Sequence, residues 1–321
     1  MIKNKNILIT GGAGFIGTNL IEALIKAHNY IVLIDNFNEY YKGKEENLAE
    51  VTSGYKNLKD YMVIKGDLLD TSIYEKINCD IDIIFHLVAQ AGVRYSIQNA
   101  AEVSNNNIQS TINILEYALK KNVKKVINAS SSSVYGNPIY TPCDEKHPKN
   151  PISPYAVSKL CGEMYTDYYH REYGLHTTSL RFYTVYGPRG RPDMAIRKFF
   201  ELILKNKEIN IYGDGEQLRD FTYVSDIVKG LILSAEKTQS SGQIFNLGCS
   251  NPITVNSLVK KMFNIAEKPR KVKYIEKQKG DVDITHSNTN KAKKMLSFQA
   301  QINIDEGLQK TYDWIIKNIN Q

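Results

Sequence analysis

Along the first half of the chain, short apolar runs alternate with longer stretches in which apolar positions recur every three or four residues. The runs have the length of strands and the stretches have the spacing of helices with one buried face. The pattern predicts strands at Asn6–Thr10, Tyr30–Ile34, Tyr61–Ile64, Asp82–Leu87, Lys125–Ala129 and His176–Arg181. Helices are predicted over Phe15–Ala27, Asn99–Lys120 and Tyr155–Tyr173. Such alternation, with right-handed crossovers, builds an α/β fold on a doubly wound parallel sheet. Beyond residue 182 the rhythm changes: Gly and Pro punctuate Tyr186–Pro192, and short strands and helices mix to the C-terminus. The expected division is a sheet domain over 1–182 and a smaller mixed α/β lobe over 183–321 that completes a cleft, with some segments free to return to the main sheet.

The chain of 321 residues is long enough for a large core in this arrangement. The net charge of +7 does not change the picture, because the basic residues are scattered and pairs such as Lys120-Lys121 and Lys260-Lys261 interrupt apolar helix positions. They read as solvated helix faces, so no nucleic-acid partner is expected. The chain passes from Met1 directly into Ile7-Leu8-Ile9, and no run reaches the length of a membrane span. We therefore expect no membrane partner and a cytoplasmic location. Cys79, Cys143, Cys161 and Cys249 stand far apart, and the six histidines are equally dispersed. Neither set has metal-ligand spacing, so no metal site is expected and the thiols are expected to be free. His86, in the apolar run Ile83–Leu87, is expected to be a partly buried partner of the fold.

Chemistry first enters at Thr10-Gly11-Gly12-Ala13-Gly14-Phe15-Ile16-Gly17, where a strand ends and a helix begins. Glycines there allow a tight turn and let a pyrophosphate approach N–H groups at the positive end of the helix. An ordinary turn is the plain alternative. Asp35, at the end of the next strand, stands where a carboxylate can bind an adenosine ribose and repel a 2′-phosphate, which favours NAD over NADP. Asp67 can reach the adenine edge or cap the following helix.

The second informative segment is Tyr155-Ala156-Val157-Ser158-Lys159, preceded by Ser130 to Ser133 and Val134-Tyr135-Gly136. Tyr155 and Lys159, four apart, share a helix face and can both point at one cofactor. A phenol with a pKa of about 10 is a poor base at neutral pH, but a neighbouring ammonium and a cationic nicotinamide lower it. By itself the pair also fits an ordinary surface face.

Taken together, the glycine opening, Ser131-Ser132-Ser133-Val134-Tyr135-Gly136, Tyr155-x-x-x-Lys159 and Arg219-Asp220-Phe221 resemble the extended short-chain dehydrogenase/reductase family over nearly the whole chain. The resemblance implies a Rossmann-type NAD domain, a C-terminal lobe for a nucleotide-sugar, and a catalytic set of Ser131, Tyr155 and Lys159. Residues expected around NAD are Gly11, Gly14, Phe15, Ile16, Gly17, Asp35, Asn36, Asp67, Leu68, Leu87, Ala89, Tyr155, Lys159 and Tyr183. Family members commonly dimerise through two helices per subunit, here 99–120 and 155–173, so a homodimer is expected.

Ser132-Ser133 replaces the Asp-Glu pair typical of the dehydratase branch, and Ser133 replaces the Glu usual in sugar-acid decarboxylases. Epimerisation or simple oxidoreduction is left. Ala89 to Ser96, Arg181 to Ala195 and Gln278 to Val282 resemble the UDP-glucuronate 4-epimerases more than the galactose type, which usually has Asn in place of Thr184 and Arg in place of Gln278. The resemblance implies a UDP-sugar substrate, with neutral or N-acetylated sugars as the nearer alternative and a non-catalytic NAD-binding protein as the remoter one.

A sugar acid needs a partner for its carboxylate, and Arg offers a planar bidentate donor. Arg191 is the first choice, against a solvent-exposed loop arginine, with Thr184 beside it and Arg94 as a second cation. Ser131 is expected at the reacting hydroxyl, and Tyr212 is placed among the substrate contacts. Arg219 is expected at the diphosphate or in a structural salt bridge. Asp281 is expected at the uridine ribose or as a turn residue, and Gln278 completes the substrate set.

Overall fold

The computed structural model describes residues 2–57, 59–277 and 282–318. Its centre is a seven-stranded, all-parallel sheet. The first six strands are β1 Asn6–Thr10, β2 Tyr30–Asp35, β3 Tyr61–Lys65, β4 Ile83–His86, β5 Lys125–Ser131 and β6 Thr177–Phe182. They lie in the order β3-β2-β1-β4-β5-β6, and the strand Gln243–Leu247 adds to the free side of β6. The chain order thus reverses between β1 and β4, where a crevice opens at the carboxyl ends of a doubly wound sheet. This is the expected Rossmann-type class.

Alternate residues of β1 show why the sheet is covered on both sides. Ile7 and Ile9 belong to an apolar cluster that continues through Phe85, Phe200, Phe245, Leu258 and Leu308, whereas Leu8 joins Val32, Ile84, Ile114 and Val126 on the other face. Because the first cluster runs unbroken from the sheet into the C-terminal segments, the walls of the cleft rest on shared packing. Those segments include three small two-stranded pairings: Val185–Tyr186 with Thr222–Tyr223, Leu218–Arg219 with Ile253–Thr254, and Ile209–Tyr212 with Val272–Ile275.

Element ends depart from the periodicity where backbone pairing outweighs it. β5 runs two residues past Ala129 because Ser130 and Ser131 continue the ladder against Arg181 and Phe182. The predicted Asn99–Lys120 helix begins as Ala100–Ser104, takes a π turn over Asn105–Gln109 and resumes as Ser110–Lys120. His86 is fully buried, where partial burial was expected. Its ring bonds Thr10 Oγ1 at 2.9 Å and Thr111 Oγ1 at 3.1 Å, and burial holds the imidazole pKa down to about 3, so it stays neutral. Among the described residues, no helix is long and apolar enough to cross a membrane, and no group of three His, Cys, Asp or Glu stands together.

Candidate active site

At the crevice, the chain leaves β1 through Gly11 at φ +69° and enters the helix Phe15–Ile25. A Cβ on Gly11 would lie 2.9 Å from the Val88 backbone, and one on Gly17 would lie 2.4 Å from the Gly11 carbonyl. These glycines therefore let the loop seat against the β4 loop and the helix against the turn. The first turn of the helix carries no acidic side chain, which leaves its positive end suited to an anion.

A cleft open to solvent lies beside this turn. Gly11, Gly14, Phe15, Ile16, Gly17, Asp35, Asn36, Asp67, Leu68, Leu87, Ala89, Tyr155 and Lys159 all line it. Asp35 accepts from the N–H groups of Ala13 at 3.1 Å and Phe37 at 2.8 Å, and Lys44 lies 3.8 Å away. Burial raises its pKa, and Lys44 together with those N–H groups pulls it back. Asp67 closes an Asx turn on Leu69 N and accepts from Asn36 Nδ2. The cap of the next helix, offered above as its alternative role, is taken by Asp70, whose side chain accepts from Ser72 N. An anion-suited turn, a buried carboxylate and the apolar walls of Leu68, Leu87 and Ala89 fit a dinucleotide.

Tyr183 departs from expectation. Its ring is buried with Val134, Tyr135 and Cys143, and it lines an adjoining cleft, while Phe182 faces the cleft of the glycine loop. Successive residues at a strand end point to opposite sides, so Phe182 rather than Tyr183 lines the cleft of the glycine loop.

The adjoining cleft contains Ser131, Ser133, Thr184 and Arg219, and it shares Phe15, Ile16, Tyr155, Phe182 and Arg191 with the first. Ser131 ends β5 and Tyr155 opens the helix Pro154–Tyr173, which Ser153 caps by accepting from Ala156 N at 3.2 Å. The Ser131 hydroxyl stands beside the Tyr155 phenol in this cleft and accepts from Ser133 N at 3.1 Å. Burial pushes the phenol pKa up, while the Arg191 guanidinium and the Ser131 hydroxyl pull it down. Lys159, one turn on, donates to Ala129 O at 2.8 Å, and burial lowers its pKa to about 8.

Behind these groups lies an ion pair that the sequence reading missed. Arg181 is fully buried and donates to Glu163 from Nε at 2.8 Å and Nη2 at 2.6 Å, and Glu163 also accepts from Ser130 Oγ at 2.5 Å. Glu163 stands four residues after Lys159 on the same helix, so its spacing was a usable signal. Asn107, on the π turn, was missed too. It bonds both backbone groups of Gln90 and the Ser158 hydroxyl, tying the β4 loop to the Tyr155 helix. Three consecutive asparagines, poor formers of helix interiors, marked the place.

Arg191 is not a solvent-exposed loop residue, since its side chain is only 19% exposed, but it is paired in bidentate fashion with Asp193. Arg94 lies apart from both clefts, exposed and stacked 4.4 Å from the centre of the Tyr212 ring. Arg219 donates to the carbonyls of Leu218 at 2.9 Å and Asp283 at 3.3 Å. Tyr212 and Arg219 line a further cleft with Gln217 and Lys277. Gln278 and Asp281 lie outside the described residues.

The NAD dependent epimerase/dehydratase family model matches residues 7–248. A UDP-glucuronate 4-epimerase of Thermodesulfobacterium geofontis is 38% identical over 316 residues, which cover 97% of this chain and 96% of that protein. Among solved structures, the UDP-N-acetylglucosamine 4-epimerase from Methanobrevibacter ruminantium M1, in complex with UDP-N-acetylmuramic acid, is 36% identical. It superposes with a TM-score of 0.91 over 98% of this chain and 99% of its own. The UDP-glucuronic acid 4-epimerase from Bacillus cereus, in complex with UDP-glucuronic acid and NAD, is 31% identical, with a TM-score of 0.89 over 97% and 99% of the two chains.

Proposed function

The chain belongs to the NAD dependent epimerase/dehydratase family, and from that premise we propose that it inverts C4 of a UDP-sugar through a 4-keto intermediate, with UDP-glucuronate as substrate and UDP-galacturonate as product. One observation carries the reading. Tyr155 and Arg191 stand on the wall common to the cleft of the glycine loop and the cleft of Ser131 and Thr184, so a base and a cation meet both a cofactor and a sugar.

Gly11, Gly14, Asp35 and Lys159 of the first cleft would hold NAD, which when bound would supply a reversible hydride acceptor for C4. Tyr155 takes the C4 hydroxyl proton, directly or through Ser131, whose hydroxyl lines the same cleft. Arg191 favours the phenolate by its charge, and Lys159, anchored on Ala129 O, presents its ammonium to the cofactor side of the cleft. A 4-keto uronate is a β-keto acid and loses CO2 when the carboxylate bond stands perpendicular to the ketone plane. Arg191 and Thr184 hold the carboxylate out of that alignment. Tyr212 and Arg219 are assigned to the nucleotide end, with residues 183–321 forming most of that side. A neutral-sugar 4-epimerase is the second reading, favoured by the Asp193 carboxylate that already satisfies Arg191.

We also propose a homodimer formed through the helix Pro154–Tyr173, whose Val157, Met164, Tyr165 and Tyr168 are exposed along one face. Light scattering that returned a monomer mass would refute it. The function itself is tested by incubating the purified protein with UDP-glucuronate, no cofactor added, and following the sugar by NMR. UDP-galacturonate without CO2 is expected. A pentose nucleotide would make the protein a decarboxylase, and turnover of neutral UDP-sugars alone would move the substrate assignment to them.

A further inference from the structure

Arg191 enters the cleft wall with a partner already in place. Its Nε and Nη2 donate to the two oxygens of Asp193 at 3.0 and 2.7 Å, the geometry a sugar carboxylate would otherwise fill. Tyr40 holds the pair from the other side. Its hydroxyl donates to Asp193 at 3.4 Å, and its ring centre lies 5.6 Å from the guanidinium carbon. The Arg191 side chain is 19% exposed and that of Asp193 46%, so the cation faces the interior and its counter-ion faces the solvent edge.

This arrangement acts differently on the two kinds of sugar. A neutral hydroxymethyl group leaves a half-buried guanidinium unsatisfied unless a protein carboxylate stays on it, and an unpaired cation there is costly. A uronate brings its own carboxylate, which must then share one guanidinium with Asp193, and two like charges at one cation repel. Resting on the sugar-nucleotide reading above, we propose that Asp193 is a specificity-determining residue: the counter-ion that holds Arg191 when the sugar is neutral and competes for it when the sugar is acidic. Asp193 thereby widens the range of sugars the site accepts, at the expense of affinity for the acid.

The test compares wild type, Asp193→Asn and Asp193→Glu. Calorimetry on the proteins as purified gives Kd for UDP-glucuronate and UDP-glucose, and kinetics give kcat/KM for both. Removing the charge should tighten UDP-glucuronate and weaken UDP-glucose, shifting the ratio of their Kd values about tenfold toward the acid, since one lost charge–charge interaction at a half-exposed site is worth about one decade. Asp193→Glu, which keeps the charge, should restore the wild-type ratio. Equal losses for both sugars in Asp193→Asn, without rescue by Glu, would mean a structural role and overturn the proposal. If the Asn variant does not accumulate as folded protein, Asp193→Ser removes the same charge and is read the same way. A wild type that neither binds nor turns over any UDP-sugar would instead overturn the functional reading itself.

Discussion

Glu163→Gln is the sharpest perturbation the structure offers, because the change is isosteric and everything around it is buried. Arg181 has no exposed surface and Glu163 almost none. The carboxylate takes two charge-assisted bonds from Arg181 and one from Ser130. What remains for the guanidinium is the Tyr135 hydroxyl at 2.8 Å and the Glu145 carbonyl at 3.4 Å, neither of them charged. Removing one partner of such a pair costs about 3–5 kcal/mol, chiefly because a buried charge loses its compensation. At about 2.1 cal/mol/K of unfolding entropy per residue, a chain of this length loses roughly 1.5 °C of melting temperature per kcal/mol, so the expected drop is about 4.5–7.5 °C. Calorimetry at fixed protein and saturating NAD measures it. Replacing both partners together, Glu163→Leu with Arg181→Met, removes the cation as well as its counter-ion and should recover at least half of the loss, giving a large coupling energy in the double-mutant cycle. A single Gln variant melting within about 1 °C of wild type would refute the account, because it would mean that this buried cation does not depend on its carboxylate.

Three further outcomes are expected. Tyr155→Phe should lower kcat by about 10²- to 10⁴-fold, the usual worth of a positioned acid–base group, with binding of UDP-glucuronate by calorimetry little changed; a comparable loss of binding would make Tyr155 a substrate anchor instead. Arg191→Ala should weaken UDP-glucuronate by about 1.5–3 kcal/mol, the range for bonds to a charged group, and a neutral UDP-sugar much less; equal weakening would sink the carboxylate assignment. Lys159 binds its proton less tightly folded, near pH 8, than unfolded, near 10.5, so its contribution to stability rises between those values and is lost as pH falls through 8. Denaturant melts of Lys159→Met should therefore show the variant gaining on wild type by up to about 3 kcal/mol below pH 8, with the gap closing toward pH 10.5; a gap independent of pH would contradict the shift.

Local sequence determined the strands and the glycine turn because each depends on residues close together in the chain. The apolar run Ile7-Leu8-Ile9 followed by Gly11-Gly12-Ala13-Gly14 admits little other than a buried strand turning into a helix, and Tyr155 with Lys159 share a face by helix geometry alone. Asp35 was legible for the same reason, standing one unit further at a strand end. The residues missed are those whose meaning depends on what lies opposite. Glu163 reads as one more helix acid until β6 sets Arg181 against it.

Which side of a strand end faces the cofactor is likewise decided by sheet register, and a one-residue offset separates Phe182 from Tyr183. The same holds for charge. By itself the sequence supplied an arginine in a Gly/Pro-rich turn at 191 and an acid two residues on. Only the folded chain, bringing Tyr40 from the β2 loop over that turn and Tyr155 beside it, makes the arginine a paired, half-buried cation whose charge reaches the Tyr155 phenol, because electrostatic strength depends on burial and on partners that sequence spacing does not encode.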